Sequence, residues 1–153
     1  MSALDGIADD DLVRRGTIGG GDWSAKDLVG HVTCWEEIAL EAVDATRAGR
    51  TPWVVAAPKD ADGINADAIA ERADRPLDRI RSEGEEVHAR LCATIEAMTD
   101  DEWRAPAAVE RGREQHLWAL LGAILGAPRR PFGHAFAHLD DAEAFARRAR
   151  EGG

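Results

Sequence analysis

The stretch Trp23-Ser24-Ala25-Lys26-Asp27-Leu28 constrains this chain more than any other. Ser24 followed three residues later by Asp27 is a capping box in its carboxylate variant. The serine oxygen takes the Asp27 N–H, and the carboxylate reaches back to the Ser24 N–H. Trp23 and Leu28 hold the two positions of a hydrophobic staple. A helix that starts this firmly continues along Leu28, Val32, Trp35, Ile38, Ala39, Ala42 and Val43, an apolar stripe at helical spacing. Gly49 marks its exit and Arg47 suits the dipole of its last turn. His31 falls within the stripe, one turn before Trp35.

The rest of the chain repeats the theme. Asp62-Gly63 is a turn, and a short helix runs from about Ile64 to Ala73 with Asn65 in its first turn. Pro76 fits the first position of a longer helix reaching Met98, striped by Leu77, Ile80, Gly84, Val87, Leu91 and Ile95, with His88 on the flank. Thr99 and Glu102 form another capping box, opening a turn that contains Trp103. Residues 105–113 read as polar and irregular. Gln115 to Leu125 reads as a buried helix, with His116 at its opening. A last helix runs from about Pro131 to Arg148. Ala is abundant and β-branched residues are sparse, which favours helix over strand. The expectation is an all-α four-helix bundle with short accessory helices. Residues 1–21 end in Gly19-Gly20-Gly21 and are expected to be a flexible lead-in, with one domain over 22–153. Residues 49–62 form a long loop around Trp53, which either packs down or contacts a ligand.

Charge and cysteine usage exclude several classes. A formal charge of −10 opposes sustained binding of nucleic acid. No apolar run is long enough to span a bilayer, and no signal-peptide pattern opens the chain, so the expected location is cytoplasmic. Cys34 and Cys92 are too few for a disulfide framework and read as reduced thiols.

The chemistry rests on histidines. His134 and His138 stand four apart, which on one helix offers two imidazoles to one ion. A third ligand from a facing helix would complete the set used by catalytic zinc, with one position left open. On face position alone, His31 and His88 are equivalent candidates for it. The last helix carries a conflict, because Phe132, Phe136 and Leu139 lie on nearly the opposite side from His134, His138 and Phe145. Periodicity leaves open whether the histidines face a cleft or solvent. Glu36 and Glu37 read as solvated helix-face charges. Asp27 sits one turn before His31, but its capping duty explains it.

The pattern Trp23-Ser24-x-x-Asp27-Leu28-x-x-His31-x-x-x-Trp35, with His134-x-x-x-His138 near the end, resembles the DinB/YfiT-like superfamily. That group includes the mycothiol-dependent maleylpyruvate isomerase N-terminal domains and the ClbS/DfsB-type four-helix proteins. Asp62-Gly63-Ile64-Asn65 also resembles the ClbS/DfsB branch. The resemblance covers about residues 22–148. It implies an up-down-down-up bundle with a divalent metal, zinc or nickel, held by His31, His134 and His138, and His88 is then the reserve ligand. It also implies a low-molecular-weight thiol, such as mycothiol, as cosubstrate in some branches. The isomerase branch can place a glutamate where His134 stands, and it carries a further C-terminal domain. Both departures argue against isomerase activity here.

Two functions follow as expectations. One is a metal-dependent S-transferase or hydrolase acting on a small electrophilic molecule, with Trp35, Trp53 and Asn65 as candidate substrate contacts. The other is a non-catalytic bundle that sequesters a reactive small molecule, as a self-resistance protein would. A homodimer is expected to be compatible with either, and neither nucleic acid nor membrane is an expected partner.

Overall fold

The computed structural model describes residues 2–18, 22–57, 60–110, 113–126 and 132–152. A 3-10 turn at Ser2–Leu4 precedes α1 (Asp9–Leu12), α2 (Ala25–Arg47), α3 (Trp53–Ala56), α4 (Ala61–Arg72), α5 (Leu77–Ala97) and α6 (Asp100–Trp103). A two-stranded antiparallel hairpin, β1 (Pro106–Glu110) and β2 (Arg113–His116), leads into α7 (Leu117–Ile124). The chain closes with α8 (His134–Ala137) and α9 (Leu139–Gly152). The architecture is a mainly helical bundle. No helix among the described residues is long and apolar enough to cross a membrane.

α2 is the central element, packing against α3, α4, α5 and α7. Its start is built as the sequence requires. Ser24 Oγ accepts from the Asp27 N–H at 3.1 Å, and Asp27 Oδ2 accepts from the Ser24 N–H at 2.9 Å. Its exit is Gly49, at a φ of 66° that a side chain would oppose. Ser24 is buried, so Ser24→Ala removes the cap without solvent to replace it. The expected loss is about 1 kcal/mol of unfolding free energy. Urea titration checks this.

Two apolar clusters fill the bundle. Ile38, Val43, Ile64, Leu91, Leu117, Leu120, Leu121 and Ile124 form one. Leu4, Ile7, Leu12, Ile18, Leu28, Val29, Ile80 and Phe145 form the other. Both clusters draw on α2, the second through Leu28 and Val29 and the first from Ile38 onward. His31 lies between them. Residues 2–18, expected as a lead-in, contribute Leu4, Ile7, Leu12 and Ile18 to that second cluster. They are also tied to α9, where Arg148 Nη2 donates to the Thr17 carbonyl at 2.9 Å and Arg150 Nη2 to that of Asp5 at 3.1 Å.

Several local expectations are corrected. Residues expected to be irregular form the hairpin, with Pro106 opposite His116, Ala108 opposite Gln115 and an irregular register between. Gln115 and His116 therefore belong to β2, and α7 starts at Leu117. Asp60 rather than a turn at Asp62-Gly63 opens α4, because its carboxylate accepts from the Gly63 N–H at 3.0 Å. Val54 and Val55 lie in α3, a single helical turn. The expected last helix is broken at His138, which ends α8 before α9 begins. Pro131 lies outside the described residues.

Candidate metal centre

Three imidazoles meet where α2 faces α8. His31 Nε2 stands 2.9 Å from His134 Nε2, and His134 Nε2 stands 3.3 Å from His138 Nε2. One ligand atom from each of the three lies within 4.8 Å of the others. The local backbone explains the convergence. The His134 N–H donates to the Leu125 carbonyl at 2.9 Å, anchoring α8 to the end of α7. Phe132, two residues earlier, holds a φ of 57°, a left-handed conformation uncommon outside glycine, and so turns the chain into α8. The break at His138 then lets α9 leave along its own axis and bury Ala142, Phe145 and Ala146.

This resolves the two-sided pattern in the sequence. The histidine side is the inner one, with His31 and His134 buried and His138 half-buried, while Phe132, Phe136 and Leu139 are exposed. Trp23 and Trp35 wall the imidazoles. Trp23 stacks obliquely on His31 with ring centroids 4.9 Å apart, and Trp35 and His134 form a T-shaped pair with centroids 6.0 Å apart. Asn65 arrives from α4, its Oδ1 accepting from Trp35 Nε1 at 2.9 Å. α4 can lie this close because Gly30 has no side chain. A Cβ there would stand 2.9 Å from Cδ of Arg72, whose guanidinium is held by Glu37 at 2.7 Å and Glu83 at 2.6 Å.

The electrostatics keep the rings neutral. Burial foremost, then the neighbouring His134 and His138, hold His31 down to about 3, with Asn65 opposing weakly. Burial and then His138 hold His134 down to about 4. His138 is lowered by burial against the opposing charge of Asp141. Below pH 6.5 the unfolded histidines take protons that the folded ones refuse. Stability of metal-free protein is therefore full above that pH and falls as pH drops from 6.5 toward 4. His31 and His134 each contribute about 1.4 kcal/mol per pH unit to that fall. Urea titrations in chelator at pH 7 and pH 5 measure it, and His134→Gln is expected to flatten the slope.

The donor set fits a cation. A neutral imidazole nitrogen presents, in the ring plane, either one N–H or one lone pair. One proton can serve the His31–His134 pair, and His138 then has none to share. A single divalent ion serves all three lone pairs. Ligands 2.0–2.1 Å from a tetrahedral zinc stand roughly 3.3 Å from one another, close to the two separations that His134 Nε2 makes, 2.9 Å to His31 and 3.3 Å to His138. His31 Nδ1 is buried without a hydrogen-bond partner, beside Asn65.

The other expected site residues are placed differently. His88 does not join the cluster; its Nδ1 lies 2.8 Å from Oε1 of Glu36, which reaches it from α2. Glu36 is correspondingly buried, not the solvated charge its residue type suggested, and Glu37 pairs with Arg72. Trp53 is exposed on α3, where its backbone N–H donates to Glu41 at 2.9 Å. His116 is exposed and contacts the Arg104 carbonyl through Nδ1 at 2.7 Å. Sequence reasoning assigned Trp23 to the helix start alone and missed its place against His31. Two cavities flank the histidines. One of about 230 Å³ is bordered by His138, and one of about 400 Å³ by His134, with Val32, Glu36, His88 and Ala135 common to both.

The chain belongs to the DinB superfamily, whose family model matches residues 1–138 and so spans all three histidines. No curated protein and no solved structure matches the chain.

Proposed function

We propose that the protein is a divalent-metal-dependent enzyme of the DinB type. In this reading, His31, His134 and His138 hold one ion, and the reaction transfers a small thiol, or water, to a small electrophilic molecule. The convergence of one ring nitrogen from each of three histidines is the observation that carries this reading. Held by His31, His134 and His138, a divalent ion would supply Lewis-acid activation, lowering the pKa of a bound water or thiol.

The chain's own residues supply binding and orientation. The half-buried rings of Trp23 and Trp35 pack against the imidazoles of His31 and His134 and shield them on one side. Asn65, hydrogen-bonded to Trp35, lies beside His31, and a small shift would let its carbonyl oxygen take the unpartnered Nδ1–H of His31. That hydrogen bond would leave Nε2 as the free lone pair. The cavities beside His134 and His138 are lined mainly by apolar side chains and suit a small substrate with an apolar body. The metal is zinc or nickel in this reading, the thiol is one of low molecular weight, and the protein acts in the cytoplasm.

The test uses tag-free protein, a small thiol and an activated aryl chloride as probe electrophile. Thioether formation is expected to stop on chelation and return with one equivalent of zinc or nickel. Turnover unaffected by complete removal of metal would overturn the reading. The apolar cavities favour a second reading, sequestration without turnover, which predicts stoichiometric binding of the electrophile and no product.

A further inference from the structure

A second chemical cluster borders the cavity of about 400 Å³ that His134 also borders, and it uses none of the three histidines of the metal centre. Glu36 of α2 is 7 % exposed, and its Oε1 lies 2.8 Å from Nδ1 of His88 on α5. One turn further along α5, Cys92 Sγ lies 3.6 Å from Nε2 of the same ring. A carboxylate at Nδ1 accepts the ring N–H there, and this leaves Nε2 as a lone pair directed at the thiol. Thiol, imidazole and carboxylate thus stand in the order that activates a nucleophile, the base oriented by a third group. Cys92 is exposed, whereas Cys34 is half-buried and its thiol is pushed up by burial foremost.

We propose that Cys92 is a nucleophilic thiol, with His88 as its base and Glu36 as the residue that positions the base, and that it adds to apolar activated alkenes. The substrate class follows from the surroundings. Cys92, His88 and Glu36 border the cavity of about 400 Å³, whose wall beside them is Leu91, Ile95 and Trp103. Cys92 lies inside α5, where the backbone N–H groups are committed to the helix. Among the described residues, the helix backbone around Cys92 offers no pair of free donors to the localised oxyanion of acyl transfer, whereas addition to an activated alkene spreads the charge over the electron-withdrawing group and has no leaving group to expel. As the S–C bond forms at the β-carbon, the Sγ proton moves to His88 Nε2 and the π pair shifts toward the electron-withdrawing group. The proton then passes from Nε2 to the α-carbon. Sulfur and hydrogen have added across the double bond, with no leaving group and no redox change.

The test is run in chelator throughout, so failure of the metal reading leaves it unaffected. Folded protein is treated with acrylamide at pH 7, and modification of the Cys92 and Cys34 peptides is followed by mass spectrometry. His88→Ala is expected to slow Cys92 modification at least about tenfold, the lower side of what a positioned base contributes. Added imidazole is expected to restore part of the rate, because the side chain removed is 64 % exposed and leaves a site open to solvent. Glu36→Gln is expected to slow modification several-fold in the wild-type background and to have no further effect in His88→Ala. Thermal unfolding confirms that each variant is folded. An N-benzyl acrylamide is expected to be discriminated from acrylamide in its favour at Cys92 and not at Cys34. Equal Cys92 rates in wild type and His88→Ala, or failure of imidazole to restore any of a lost rate, would overturn the proposal.

Discussion

Replacing His31 with alanine is expected to lower the affinity for zinc or nickel at least about 100-fold, with helical circular dichroism unchanged. Partners that only orient a ligand cost 10–100-fold when removed, so loss of a ligand itself sets a larger effect. The fold is expected to survive, because the flanking apolar residues of α2, Leu28 and Val29 on one side and Ile38 on the other, remain in their two clusters. His88→Ala is the matched control and should leave affinity within about twofold, since His88 bonds Glu36 and stands outside the cluster. Competition against a chromophoric chelator measures both. Equal losses in the two variants would place the third ligand elsewhere.

Leu121→Ala is expected to cause the largest loss of stability by a single truncation, roughly 2–5 kcal/mol. Leu121 is fully buried on α7, in the cluster shared with Ile38, Val43, Leu91 and Leu117. The cavity left there has walls from three helices and cannot collapse without moving them. The urea midpoint should fall with no change in slope, and thermal unfolding should drop by on the order of 10 °C for a chain of this size. A loss below about 1 kcal/mol would mean that α7 is not seated in that core.

The central helix was legible because its information is local. Ser24, Asp27, Trp23 and Leu28 act within one turn, and Gly49 fixes its exit by a single torsion. His31 was legible as inward-facing because it shares a stripe with residues that must be buried. What the sequence concealed was set from a distance. Glu36 has the residue type of a solvated helix face, and its partner in the folded chain, His88, lies 52 positions away. Leu4, Ile7, Leu12 and Ile18 lack a helical period, and their burial depends on Phe145 and Arg148 of α9. The hairpin at 106–116 is Ala- and charge-rich and shows little of the alternation that marks a strand. The conflict on the last helix was real in the sequence. It disappears in three dimensions because the exposed face carries Phe132 and Phe136, and because the helix breaks at His138.

X-ray absorption at the metal edge of tag-free, zinc-loaded protein reads the coordination by His31, His134 and His138 itself. One ion per chain is expected, with three imidazole nitrogens at about 2.0–2.1 Å, one light-atom ligand completing the shell and no sulfur. The His31→Ala protein should show no such shell at the same zinc concentration. A shell containing sulfur, fewer than three imidazoles, or no stoichiometric ion at all would contradict it.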